Sequence, residues 1–361
     1  MVGLDKENIK QWQRFEEFQV ERTKAEEETE ARSRKLFLEE IGSKLDKSNE
    51  EEFRSGIKKY RSITASFVHS YDGAILNMLP GLKESVVLLQ ATRLQENILN
   101  EVKKKLQLQT LISEYLDTLI NIHPSLLLQV RIPRDSLSID DGKLQEMRKD
   151  PTGGGKVQFI LDMAYHCQST KEKLLVFSQY IAPLKLVKEL LEEKFKVFFI
   201  TGKSLMLERQ EIMESFNGAK EGTHILLASL TACGEGINLT GASRVIFLDM
   251  HWNPSRMKQA SSRAFRIGQK NIVYTYWLIA SGEKEANKYT RIEKKASLSR
   301  SIVASKTHEC VCKQENSNAP NVIGEDVILH QLMKNNDMKI IDVIQRSTLE
   351  EEDNLSALLR Q

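Results

Sequence analysis

Leu174-Leu175-Val176-Phe177-Ser178-Gln179-Tyr180 is an apolar run that ends in small polar residues. A helical pattern follows it, with Leu184, Val187, Leu190 and Leu191 on one face near Pro183. A continuous apolar strand that leads into an amphipathic helix is what a parallel sheet covered on both faces requires. The alternation repeats downstream. Val197 to Ile200, Ile225-Leu226-Leu227, Val245-Ile246-Phe247-Leu248 and Val273 to Leu278 read as strands, while Leu205, Arg209, Ile212, Met213 and Phe216 mark a crossover helix. Asn253-Pro254 opens another, since Asn is a favoured N-cap and Pro is pre-set for the first helical position. An α/β lobe over about 157–300 is therefore expected, a parallel sheet flanked by helices.

The flanks differ in character. Residues 1–62 are dense in Glu, Lys and Arg, with Trp12, Phe15, Phe18, Phe37, Leu38, Ile41 and Leu45 spaced among them, which predicts a charged helical extension with a thin apolar stripe. Residues 63–130 hold an extended patch at Ser66-Phe67-Val68-His69, a Pro80-Gly81 turn, a short strand at Val86 to Leu89 and a helical stretch from about Arg93 to Ile122. The polar segment 131–156 reads as a linker, and 301–361 as a tail with a small helical brace around Val327, Ile328, Leu332, Ile340, Ile341 and Ile344.

The 52 basic and 50 acidic residues leave a net charge of +2, which neither requires nor excludes a nucleic-acid partner. Lys103-Lys104-Lys105 and Lys294-Lys295 read as solvated helix faces. Four cysteines without framework spacing, and no signal-like start, predict a reducing intracellular compartment. No apolar run has the length of a membrane span, so no membrane partner is expected. His308-Glu309-Cys310-Val311-Cys312 lacks two further ligands at zinc-finger spacing, and no metal site is expected.

Three places resemble a nucleotide loop, and each lacks one necessary residue. Gly153-Gly154-Gly155-Lys156 continues into Val157, where a phosphate loop needs Ser or Thr for Mg²⁺. Gly202-Lys203-Ser204 would need its earlier glycine at Val197. Asp249 ends a strand as a Mg²⁺-holding aspartate would, but Met250, His251 and Trp252 follow in place of a glutamate.

The strongest motif is Trp252-Asn253-Pro254 followed by Gln259 to Gln269. Gln259, Arg263 and Arg266 are four and three residues apart, a spacing that predicts one face of one helix. Guanidinium forks there suit the charge that spreads over phosphoryl oxygens during transfer. Upstream, Ala228-Ser229-Leu230-Thr231-Ala232-Cys233-Gly234-Glu235-Gly236-Ile237-Asn238-Leu239 follows a strand directly, and such small residues let backbone amides approach phosphates.

Phe177-Ser178-Gln179, Thr201-Gly202-Lys203, the Ser229 to Leu239 stretch, Trp252-Asn253-Pro254 and Gln259 to Gln269 together resemble, in order and spacing, the second-lobe motifs of Swi/Snf-type chromatin-remodelling ATPases of helicase superfamily two. Asn121-Ile122-His123-Pro124 resembles the Asn-His-Pro segment ahead of that lobe. The finer resemblance is to the plant CLASSY group, through Phe67-Val68-His69, Leu79-Pro80-Gly81-Leu82, His123-Pro124-Ser125-Leu126, Ser178-Gln179-Tyr180-Ile181, Glu235-Gly236-Ile237 and Arg263-Ala264-Phe265-Arg266. Most relatives outside that group have His where Phe265 stands. These motifs span about 62–300.

The resemblance implies a RecA-like lobe that closes with a partner lobe on ATP and Mg²⁺. It implies that Arg263 and Arg266 are arginine fingers with Gln259 beside them, and that Gly234, Glu235, Gly236 and Gln269 face the nucleotide. It implies that Ser178, Gln179, Gly202, Lys203, Ser229 and Thr231 grip the backbone of double-stranded DNA. It also implies chromatin, the nucleus and RNA-directed DNA methylation as the setting, with the plant silencing RNA polymerase as a partner. The phosphate loop and Asp-Glu box of the first lobe are not in this sequence, so the chain by itself is expected to be inactive. A non-catalytic scaffold that recruits a silencing polymerase or a histone-reading partner is the alternative.

Overall fold

The computed structural model describes residues 28–45, 49–64, 78–105, 110–131, 141–218, 224–232, 236–303, 326–334 and 340–345. Two compact units divide the chain: Met1–Asp72 with Leu298–Glu315, and Gly73–Ser297 with Asn316–Gln361. In the first unit, residues 28–37 are helical and run through a π turn, Leu38–Gly42, towards helix α1, Glu50–Thr64. The charged pattern is thus helical where it is described, with Ile41 and Ile57 buried and Phe37 edge-on to Tyr60 at 6.3 Å. Trp12, Phe15, Phe18 and the patch Ser66 to His69 lie outside the described residues.

The second unit holds a seven-stranded sheet. Its strands are β1 Leu82–Leu89, β2 Leu174–Ser178, β3 Lys196–Ile200, β4 His224–Ser229, β5 Arg244–Phe247, β6 Val273–Ala280 and β7 Ile340–Gln345. Their order is β3-β4-β2-β5-β6-β1-β7, with every pair parallel except β7 against β1. The helices are α2 Arg93–Lys105, α3 Thr110–Ile122, α4 Asp141–Met147, α5 Gly155–Thr170, α6 Ile181–Leu191, α7 Met206–Gly218, α8 Pro254–Ser261, α9 Glu283–Val303 and α10 Val327–Lys334. Period-two alternation sends Val176, Leu227, Ile246 and Leu278 to one face, against Phe159, Leu184 and Ile328 of α5, α6 and α10. Phe177, Leu226, Val245 and Trp277 go to the other face, against Phe216, Met257 and Tyr289 of α7, α8 and α9. Both faces are dry, which is why the strands read as unbroken apolar runs.

Three expectations need correction. The segment 131–156, expected as a linker, carries α4 and the first two residues of α5, and Leu144 is fully buried in a satellite core with Ile98, Leu116 and Ile120. Leu144, with Met147 packed against the same cluster, anchors the helix. The strand expected at Val86 to Leu89 ahead of the lobe is longer and lies inside the lobe's sheet, between β6 and β7. The tail forms α10 and then a strand, β7, where only a helical brace was expected. Besides the burial of Ile328, Leu329 and Leu332 in the core, a polar cluster holds the tail: Asp326 accepts from Tyr276 Oη at 2.5 Å, pairs with the buried Arg244 at 2.5 Å and caps α10 at Leu329 N. Arg244 also pairs with Glu172 at 2.7 Å and lies 4.0 Å from the centre of the Tyr274 ring.

The glycine run before Lys156 has a packing role. A Cβ on Gly154 would collide with the carbonyl oxygen of Ile122, and one on Gly153 would stand 2.8 Å from Nε2 of His123. His123 is buried in that contact; its Nε2 donates to the Asp150 carbonyl at 3.0 Å, and its Nδ1 accepts from Ser125 N at 3.2 Å and from Ser125 Oγ at 2.8 Å. The Asn-Ile-His-Pro segment is thus pressed onto the entry of α5. Gly154→Ala is expected to lower stability by about 3 kcal/mol, since backbone has to move to admit the methyl; urea unfolding measures it.

Burial lowers the His123 pKa, and both donors of Ser125 point at Nδ1, where a second proton would sit. The unfolded chain therefore binds this proton more readily than the folded one. The His123 contribution is complete above the ordinary histidine value and is lost as pH falls below it towards the folded value. Melting temperature of the wild type is expected to drop from pH 7 to pH 5.5 more than that of His123→Asn, as read by circular dichroism.

Candidate functional site

Parallel strands put all their carboxyl ends on one edge, so the loops that follow β2, β3, β4 and β5 are neighbours. The register aligns Ser178 with Ser229 and Ile200 with Ala228. Thr201 to Lys203 leave β3 with Gly202 and Lys203 exposed, and a Cβ on Gly202 would lie 3.3 Å from Oγ1 of Thr231. The buried Arg209 holds this loop through the carbonyls of Thr201 and Gly202, at 3.2 and 3.0 Å. Ser229 and Thr231 share a hydroxyl contact of 3.0 Å, with Ser229 buried and Thr231 exposed. Gly202, Lys203 and Thr231 therefore form one exposed cluster.

Ser178 and Gln179 are held differently. Ser178 is fully buried, and its hydroxyl donates to Oδ2 of Asp249. Gln179 N donates to Oδ1 of Asp249 at 3.0 Å, and its side-chain amide donates to the Met250 carbonyl at 3.3 Å. Burial raises the Asp249 carboxyl pKa against the pull of these two donors and of Lys156 and Lys288. Asp249 is thus committed to a loop and not to a cation; among the described residues, no group of three or more His, Cys, Asp or Glu could hold a metal ion. Tyr180, edge-on to Tyr115 of α3 at 4.9 Å, has its pKa pushed up to about 12 by burial and by the nearby Asp249, Glu114 and Tyr115.

The arginine motif has an unexpected shape. Gln259 is on α8, but α8 stops at Ser261, so Gln259, Arg263 and Arg266 do not share a helical face. Ser262 turns its hydroxyl back to the Lys258 carbonyl at 2.8 Å, and Arg263 N and Ala264 N close tight three-residue turns on Ala260 and Ser261. The Arg263 carbonyl, which a continuing helix would use internally, accepts instead from Leu239 N at 2.9 Å. Arg266 Nη1 donates to the Ile237 carbonyl at 3.5 Å. Gly268 then takes a φ of +103°, which ends any chance of a helix resuming. Both arginines are half-buried against residues 236–239, the far part of the glycine segment. The sequence thus brings these two motifs together, by turns and not by a helix. Cys233, Gly234 and Glu235 lie outside the described residues, and Gly236 has a φ of +47°.

Gln269 is buried and works on backbone. Its Nε2 donates to the Ala242 and Ala264 carbonyls at 2.9 and 3.1 Å, and its Oε1 accepts from Lys270 N and Asn271 N, each at 2.9 Å. It braces the arginine turn. Trp252 lies beside two cations, for Lys288 and Lys295 of α9 approach its ring to 5.1 and 5.4 Å. The loop-like Lys156 is also buried, paired with both oxygens of Glu285 at 2.9 Å and bonded to the Leu248 carbonyl at 3.3 Å. No phosphate loop forms around it.

Residues 155–268 match the model of the helicase conserved C-terminal domain. SNF2 domain-containing protein CLASSY 3 of Arabidopsis thaliana is 37 % identical over 84 % of this chain and 23 % of its own length. The chain carries a SNF2-type helicase C-terminal lobe. DNA repair protein rhp54 of Schizosaccharomyces pombe is 34 % identical over 43 % of this chain and 18 % of its own. The chain therefore spans less than a quarter of the length of these curated relatives. A SWI2/SNF2 ATPase core from Sulfolobus solfataricus, solved with double-stranded DNA, aligns at 23 % identity and a TM-score of 0.46, over 76 % of this chain and 58 % of that one. Among the described residues, no helix of this SNF2-type lobe is long and apolar enough to cross a membrane.

Breaking the Lys156–Glu285 pair leaves a charge buried without its partner, a loss of about 3–5 kcal/mol. Lys156→Ala is expected to lose that much in urea unfolding. The neutral double variant Lys156→Met with Glu285→Gln is expected to lose clearly less, since Gln still accepts from Ala280 N.

Proposed function

We propose that this chain provides the second lobe of a DNA-dependent ATPase of the SNF2 type, and that it hydrolyses ATP only together with a first lobe. The observation that carries this reading is the turn in which the Arg263 carbonyl accepts from Leu239 N and Arg266 Nη1 donates to the Ile237 carbonyl, because it brings both arginines beside a glycine segment at the carboxyl edge. When bound, ATP supplies the phosphoryl group, and Mg²⁺ the counter-charge. This chain's part is to present Arg263 and Arg266 to the charge that develops on the phosphoryl oxygens, with Gln259 at the end of α8 and the residues around Gly236 facing the nucleotide. Gln269 serves the same site by bracing the turn. The buried Lys156 and the engaged Asp249 support the view that the β- and γ-phosphates are held elsewhere.

Gly202, Lys203, Thr231 and Gln179 are the proposed contacts to one strand of the duplex, with Ser178 and Ser229 acting from beneath them. Lys203 contributes charge and the others hydrogen bonds, so binding is independent of sequence and sensitive to salt. Chromatin in the nucleus is the proposed setting. The CLASSY resemblance extends the proposal to RNA-directed DNA methylation and gene silencing, with the silencing RNA polymerase as a partner.

The test joins this chain to a competent SNF2-type first lobe and measures ATP turnover and duplex affinity. Arg263→Ala and Arg266→Ala are each expected to cut turnover about a thousandfold or more. Lys is expected to substitute poorly, because a point charge lacks the planar fork, and DNA affinity is expected to stay within about twofold. Unchanged turnover in both variants refutes the catalytic reading and leaves a scaffold that recruits its partners through this lobe.

A further inference from the structure

The pairing of β2 with β5 ends at Phe177 and Phe247, and Leu248 N makes the last backbone bond, to the Phe177 carbonyl at 2.9 Å. Beyond that point the two chains are joined by a side chain. Asp249 is 2 % exposed, and its two oxygens accept from the Ser178 hydroxyl and from Gln179 N. Ser178 Oγ accepts in turn from Tyr180 N at 3.0 Å. One carboxylate therefore fixes three successive residues as they leave the sheet. The charges that face it, Lys156 from α5 and Lys288 from α9, are cations bound in pairs of their own, to Glu285 and to Glu114. Both oxygens of the buried carboxyl group are engaged by these donors, so it stays in one position.

We propose that Asp249 is the positioning residue that presents Gln179 to the phosphate backbone of a bound duplex. This rests on the DNA contact proposed above for Gln179. Gln179 is half-buried, with its backbone N–H bound to Asp249 and its side chain turned along the Met250 carbonyl. A neutral polar side chain gains little from a phosphate unless its geometry is set beforehand, because the flexible chain otherwise loses rotamer freedom on binding. Asp249 sets it. Ser178, which the motif alone would place on DNA, spends its proton on Asp249 and acts through the same carboxylate.

The experiment uses the full chain and a labelled duplex, with Gln179→Ala, Asp249→Asn and the double variant, and follows the Gln179 backbone amide by ¹H–¹⁵N correlation. Asparagine keeps the shape but sets an amide N–H₂ against one of the two donors. Each single variant is expected to weaken the duplex roughly fivefold, the worth of about one hydrogen bond. The double variant is expected to bind no more weakly than the worse single, because both changes remove the same contact. The salt dependence is expected to stay unchanged, since no cation is lost. The Gln179 amide proton is expected to move upfield in Asp249→Asn. Wild-type affinity in Asp249→Asn, or losses that multiply in the double variant, overturn the proposal. If Gln179→Ala itself binds like the wild type, the DNA contact and this proposal fall together. If Gln179→Ala weakens binding and Asp249→Asn does not, only the positioning role falls. Should Asp249→Asn not fold, Ser178→Ala keeps the carboxylate and removes one donor; it is expected to weaken binding roughly threefold, and not at all in the Gln179→Ala background. Multiplying losses there overturn the proposal equally.

Discussion

The lobe depends on charges that have been taken out of water. Lys156, Asp249, Glu285 and Lys288 are each less than 9 % exposed, and they meet beneath the edge from which the motif loops emerge. Lys156 carries the start of α5 to Glu285 at the start of α9, and Glu285 also accepts from Ala280 N at 2.6 Å. Lys288 reaches Glu114 on α3 at 2.7 Å, and Lys284 reaches Asp117 on the same helix. Apolar burial is non-directional, whereas a buried charge pair fixes one element against another, since a displaced partner leaves the other unsolvated. The edge is therefore built on a fixed polar floor.

This arrangement explains what could be read from the sequence. Strands β2, β4, β5 and β6 were legible because burial on both faces makes them apolar runs, as in Leu174 to Phe177 and Ile225 to Leu227. Asn253 was legible as a cap, and its side chain does accept from Ser255 N at 3.0 Å. The floor itself was hidden. Asp249 meets Ser178, 71 positions earlier, and Lys156 meets Glu285, 129 positions later, and no local pattern connects such residues. In sequence, Asp249 has only the look of a strand-end metal ligand, and Lys156 that of the end of a glycine loop.

The arginine motif shows a subtler limit. Spacings of four and three positions are helical, and through Ser261 the chain obeys them. Two consecutive serines and a glycine seven positions later are weak stop signals, each tolerated in many helices. What ends α8 is an external competitor: Leu239 N claims the Arg263 carbonyl. Leaving the helix turns both arginines towards residues 236–239. A continuous helix would have carried them onward along α8.

The position of β1 has a consequence for synthesis. Leu82–Leu89 lies between β6, Val273–Ala280, and β7, Ile340–Gln345, so a strand made early has both its neighbours made late. On the ribosome β1 emerges with its edges unpaired and its apolar residues Val86 to Leu89 uncovered. It stays so while nearly two hundred further residues are added, a long exposure for a sequence that pairs readily with other strands. Both edges of β1 are covered only once Ile340–Gln345 has been made.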